Sequence, residues 1–202
     1  MTSREIIPFL LAADLLIPFL LAPTYQGYRH LTQVMSVLGN PKAPLHVLYN
    51  AWLVAFGAAL LYHAVLLYPA IAEASETIAV LLFFVIAVYA VGGCVLSGLF
   101  PVGETKSLET LSAKIHGFGS VIGFLLLTFA PLFAGMYFFK TAKNGLGIWS
   151  ILCFAFAVGF FTLFVMADKP RYQGTLIGLE GLWQRLSLLS MYLPIAALCW
   201  RK

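Results

Sequence analysis

The sequence predicts an all-α integral membrane protein: six transmembrane helices in an up-and-down bundle, with a short in-plane helix after the first. Three observations carry that expectation. Of the 202 residues, 61% are hydrophobic and only 10% charged, against about 25% charged in soluble domains. The apolar runs are long and unalternating, about 20 residues each, which suits helices crossing a roughly 30 Å hydrocarbon layer and not the alternating strands of an outer-membrane barrel. Mean hydropathy is +0.94, so almost nothing is left for a soluble domain, and residues 1–202 read as a single transmembrane domain.

The formal charge of +4 is scattered as single basic residues between apolar runs. That is the pattern of interfacial anchors and lipid-phosphate contacts, so membrane lipid is the expected partner and nucleic acid is not. Cys94, Cys153 and Cys199 fall in separate expected helices without paired spacing and read as small buried apolar residues.

The first helix is expected over residues 6–22. Arg4 before an apolar run suggests a signal peptide, but Asp14 and Pro18 interrupt that run and no A-x-A site follows, so the segment reads as a retained span. Asp14 falls near mid-depth. A carboxylate there must face the bundle, be protonated or find a partner, because facing lipid costs about 2.5 to 3.5 kcal/mol.

From residue 25 to residue 45 the chain is too polar to cross, yet Leu31, Val34, Met35 and Leu38 recur at helical spacing. This predicts a short helix in the membrane plane, stopped at Gly39-Asn40-Pro41 with Gly39 as a left-handed cap. It could be a collar or a lid over a lateral opening. The second helix, residues 45–68, places His46 and Asn50 one turn apart near its start and His63 near its end, within possible reach of Asp14; Pro69 stops it. The third, residues 77–100, carries Gly92-Gly93 and Ser97-Gly98, which permit close helix approach. A polar segment with Glu104, Lys106, Glu109 and Lys114 leads to the fourth, residues 111–139, with His116 at its mouth and Gly119 and Gly123 as a small-xxx-small pair. The fifth spans 146–167 and the sixth 181–200, with Gln184 and Arg185 in its first turns.

Six crossings put both termini on one side. Lys and Arg number five on that side (Arg4, Lys140, Lys143, Arg201, Lys202) against seven on the other (Arg29, Lys42, Lys106, Lys114, Lys169, Arg171, Arg185), or five each once Lys114 and Arg185 are assigned to helix ends. The short basic turn and C-terminus incline the termini towards the cytoplasm. The connections after helices one, three and five share the opposite face and hold most of the remaining polar residues, so a site is expected there.

Several pieces of that face resemble a known family. Tyr28-Arg29-His30 leads to Ser36-Val37-Leu38-Gly39 and then Asn50; Gly98-Leu99-Phe100-Pro101 is followed by His116; Gly181-Leu182-Trp183-Gln184-Arg185 opens the last helix. In order and spacing these are similar to the bacterial six-helix membrane proteins of domain-of-unknown-function family nine-nine-eight, over nearly the whole chain. Val37 stands where that family usually has an acidic residue before Leu-Gly. The resemblance implies six helices, cytoplasmic termini and an extracytoplasmic motif face; it implies no established activity.

The expected ligand-binding residues are His116, Arg185, Gln184, Ser36, Asn50 and His46, with Asp14 and His63 as intramembrane polar groups and His116 the catalytic candidate if there is one. Arg185 could grip a phosphate in a bidentate way or pair with Asp168 or Glu180. No cofactor is expected: zinc would need His46, His116 and Glu104 or Asp168 to converge without any local ligand pair, and haem would need His46 and His116 at matched depth. The leading expectation is a lipid- or amphiphile-binding or -moving protein. The alternatives are a membrane-embedded hydrolase or transferase acting on a lipid head group, and an accessory or scaffold subunit, as homo-oligomer or with a partner membrane protein.

Overall fold

The computed structural model describes residues 6–101 and 109–199, and among them every regular element is helical. Arg4, Glu104, Lys106, Trp200, Arg201 and Lys202 lie outside the described residues. Six helical stretches among the described residues are long and apolar enough to cross a membrane. The first is α1, Ile7–Leu21, continued by a 3-10 turn at Ala22–Thr24. Pro8 sits in its first turn, where an N–H would have no helical partner in any case.

The second span, α2, is His46–Ala72 and runs past the stop expected at Pro69. Proline forfeits one bond to the preceding turn, but its fixed φ is helical, and Ile71 is anchored in the core at 4% exposure. The Tyr68 hydroxyl donates to the Glu76 carboxylate across the turn into the third span. That span is expected as one helix and is instead three pieces: α3, Glu76–Val88; a π-helical segment, Tyr89–Val95; and α4, Leu96–Leu99. The fourth is likewise divided, into α5, Leu111–Leu127, and α6, Ala130–Lys140. Pro131 cannot donate to the Leu127 carbonyl, and the Phe124 carbonyl accepts the Thr128 hydroxyl at 2.9 Å as well as the Thr128 amide at 3.1 Å. Spans five and six are α7, Asn144–Ala167, and α8, Glu180–Cys199.

Helix α8 is the least hydropathic span, yet half of it is buried. It packs on α1, α6 and α7 through Leu188, Met191 and Ile195, none of them exposed. Being inside, it can carry Gln184, Arg185, Ser187 and Ser190 without presenting them to lipid. The outer surface is formed by side chains such as Phe9, Leu20, Phe84 and Phe156, as a hydrocarbon environment requires. The third and fourth spans meet backbone to backbone: a Cβ added at Gly92 would lie 2.6 Å from the Gly119 carbonyl oxygen.

The first long loop differs from the in-plane helix expected of it. Only Met35–Gly39 is helical, as a 3-10 turn, and Val34, Met35 and Leu38 are turned into the bundle while Leu31 stays exposed. Gly39 does not take a positive φ; among the described glycines Gly27 and Gly174 do. Its lack of a side chain lets the Asn50 amide lie against it, donating to the Gly39 carbonyl at 3.0 Å.

Candidate functional site

Helix α8 ties the first loop down through three residues, Leu182, Gln184 and Arg185. The Leu182 amide donates to the Leu31 carbonyl at 3.0 Å, and Gln184 Oε1 accepts from the Met35 amide at 2.7 Å. The Arg185 guanidinium donates through Nη1 to the carbonyls of His30 (2.7 Å) and Gly181 (2.8 Å), and through Nη2 to the Tyr28 hydroxyl (2.8 Å). Its plane also lies over the Phe19 ring, 5.5 Å from the centroid. Charge-assisted bonds of this kind are roughly twice as strong as neutral ones, so the loop is held by a fork that only arginine supplies. Burial raises the Tyr28 phenol above its ordinary range, opposed by Arg185. The His30 imidazole is lowered, by burial and then by the Arg185 charge.

Beneath the loop lies a cavity of about 620 Å³, bounded by the loop, α5, α7 and the start of α8. That volume is in the usual range for small-molecule sites. Towards the loops its wall includes Gln33, Ser36, His116, Asp168, Lys169, Glu180 and Gln184; deeper it is Leu53, Val121, Phe124, Phe161 and Phe164. Phe118, Val121 and Val165 line the cavity and are also exposed at 60%, 61% and 47%, so the cavity opens sideways between α5 and α7 as well as upward.

The floor is Asp14 with Tyr89. Asp14 is 4% exposed, and its oxygens accept from Trp52 Nε1 at 3.1 Å and from the Tyr192 hydroxyl at 2.9 Å. Tyr192 in turn meets the Tyr89 hydroxyl at 2.6 Å. The network therefore joins α1, α2, α8 and the first residue of the π segment. The expected pairing of His63 with Asp14 does not form: the His63 ring bonds the Ala59 carbonyl at 2.6 Å, one turn back on its own helix. Trp52 holds the α2 position that reaches Asp14, and His63 lies three turns farther along.

Of the six expected ligand-binding residues, Ser36, His116 and Gln184 are brought to the cavity wall. His116 Nδ1 donates to the Phe100 carbonyl at 3.1 Å, which fixes the ring at the mouth of α5. Arg185, expected at a head group or beside Asp168 or Glu180, faces the first loop. Asn50 is engaged with Gly39, and His46 Nδ1 donates to the Ala43 carbonyl at 2.8 Å. His46 is not on the cavity wall with His116, and among the described residues no three His, Cys, Asp or Glu side chains converge as metal ligands.

Sequence reading missed Trp52, Tyr89 and Tyr192. The available signal was depth: Tyr and Trp favour the interfaces, so two tyrosines inside spans need partners for their hydroxyls, and Asp14 is the acceptor nearest to hand.

A family model described as "Protein of unknown function (DUF998)" matches residues 11–201. The chain belongs to this family. The match covers the loop clamp, the cavity and its floor, so the features above lie within the DUF998 unit. No curated protein and no solved structure matches the chain.

Proposed function

We propose that this DUF998 protein binds or moves a lipid or other amphiphile, held in the cavity under the first loop, at the extracytoplasmic face of the cytoplasmic membrane with both termini inside. The observation that carries the reading is the cavity's graded wall together with its sideways opening. An apolar chain can lie against Phe124, Phe161 and Phe164 while a polar group meets Ser36, His116 and Gln184. Entry between α5 and α7 needs no passage through water, so the apolar part is never exposed to it. The first loop serves as the roof, held by Arg185.

Native mass spectrometry of the protein released from nanodiscs tests this. Wild-type protein should retain an amphiphile, and Val121→Trp, which fills the opening, should reduce the retained fraction at least severalfold. Equal retention by the two, or none by wild type, would count against the proposal.

A second reading, hydrolysis or group transfer on a lipid head group, is favoured by His116 facing the same cavity as Asp168 and Glu180. It requires turnover on a lipid panel that His116→Ala abolishes in folded protein.

A further inference from the structure

The amphiphile reading leaves the floor of the cavity unused, and the floor has an unusual composition. Asp14 is buried at mid-span with no basic side chain beside it among the described residues; its neighbours are the Trp52 indole and the Tyr192 hydroxyl, both donors. A carboxyl group in hydrocarbon without a cation is costly, and two donors offset only part of that cost. It is nonetheless on the wall of a cavity that opens to the outside.

The aromatic rings around it form a second, independent pattern. Ring contacts run without a break from Trp52 to Phe56, Tyr192, Tyr89, Phe124, Phe164 and Phe161, with centroid separations between 5.4 and 6.2 Å. Of these, Tyr89, Phe124, Phe164 and Phe161 are on the cavity wall. Aromatic faces attract cations, most strongly where water is excluded. The ionisable side chains on the wall have the matching sign: besides His116, Asp14, Asp168 and Glu180 stand against Lys169.

We propose that the amphiphile bound in this cavity carries a positive charge, an alkylammonium or related organic cation, and that Asp14 is its counter-ion at the end of an aromatic track. This rests on the amphiphile reading of the same cavity and names the ligand class. The cation supplies the charge that the bundle does not give Asp14, and the rings along α5 and α7 hold it on the way down. Trp52 and Tyr192 orient the carboxylate with one hydrogen bond to each oxygen, and each oxygen keeps a further lone pair. A carboxyl that simply keeps a proton would favour no charge type.

The test compares two probes below their micellar concentrations on the full chain in nanodiscs: dodecyltrimethylammonium, and the uncharged dodecyldimethylphosphine oxide with the same tail. Binding is measured as the excess over nanodiscs containing Val121→Trp protein. Wild type should prefer the cation at least tenfold. Asp14→Asn should bring that ratio close to one, and Phe124→Leu, which removes one ring and keeps the carboxylate, should lower it severalfold and serves if Asp14→Asn fails to fold. A wild-type ratio near one, or a ratio unchanged in both variants, would overturn the inference while leaving the cavity as an amphiphile site. Binding of neither probe to wild type would overturn the amphiphile reading itself, and this inference with it.

Discussion

Arg185 shows how a residue can be picked out correctly by its chemistry and still be assigned the wrong neighbours. A guanidinium in the first turns of the last helix has to find acceptors, and lipid phosphate, Asp168, Glu180 and loop carbonyls are equal candidates in the sequence. The fold decides, because Gly181 lets the first loop come against α8, and the carbonyls of His30 and Gln33 lie within 2.7 and 3.3 Å of Nη1. Arg185→Lys keeps the charge but not the fork, so it should free the loop nearly as much as Arg185→Ala. Losing bonds worth about 1.5 to 3 kcal/mol should speed amide exchange over residues 29–37 roughly tenfold to a hundredfold. Protection retained in Arg185→Lys would show that charge alone holds the loop. His30 gives the clamp a pH dependence. Its folded-state value is depressed, so the unfolded or released loop binds the proton more readily; the contribution is present above the ordinary value of about 6.5 and is lost as pH falls below it. Protonation also places a second cation beside Arg185. The three native cysteines are buried, so a nitroxide at Leu31→Cys reports on the loop alone. Its spectrum should sharpen between pH 7.5 and 5.5, and should stop doing so when His30→Gln is added.

At the scale of elements, span count and positions were legible because hydrocarbon thickness imposes a length that composition records directly. Internal breaks were not. The α5–α6 break had a signal in Pro131, which the continuous apolar run around it concealed; the π segment Tyr89–Val95 has no residue that forbids a helix and exists because of what packs on it. In the π segment the widened turn places Tyr89 towards Asp14 while Gly92 meets Gly119, and a one-residue register shift of this kind follows from tertiary contact, not local propensity. The loop was misread for a related reason. Leu31, Val34, Met35 and Leu38 have helical spacing, but Leu31 faces out while the other three are buried, and the bonds to α8 are made by the backbone, at the Leu31 carbonyl and the Met35 amide, so the periodicity recorded burial without recording a helix. The Gly92–Gly119 contact is a sharp test of this packing. Gly119→Leu should destabilise the protein by about 1 to 3 kcal/mol or more, as overpacking does, seen as a lower melting temperature in detergent. Gly159→Leu in α7, where an added Cβ has nothing within 4 Å, should change stability by no more than about 0.5 kcal/mol.

For the molecule as a whole, the polar groups are sorted by end. The first loop, the start of α5 and the connection from α7 to α8 meet around the cavity mouth, whereas the other end carries tight turns, Glu73–Ser75 and Thr141–Lys143. Lys and Arg counts do not separate the ends, since each holds about as many as the other once the clamped Arg185 is set aside. Position separates them better. Lys140 closes α6 and Lys143 precedes α7 in a turn too short to do anything but connect, where a basic residue acts purely as an anchor and the positive-inside bias applies most directly. Arg185, by contrast, is consumed by the loop. That is the ground for the proposed orientation, with the cavity mouth outside and opposite the Lys140 turn. Single-cysteine labelling resolves this, because the native thiols are buried and both test positions are exposed: Leu176, at 79% in the α7–α8 connection, and Lys143. On intact cells a membrane-impermeant maleimide should label Leu176→Cys and reach Lys143→Cys only after permeabilisation. The reverse pattern would invert the protein and put the cavity on the cytoplasmic side, where it would draw its ligand from the inner leaflet. Labelling of both from outside would mean that the two connections share a side, which an up-and-down arrangement of the last three spans does not allow.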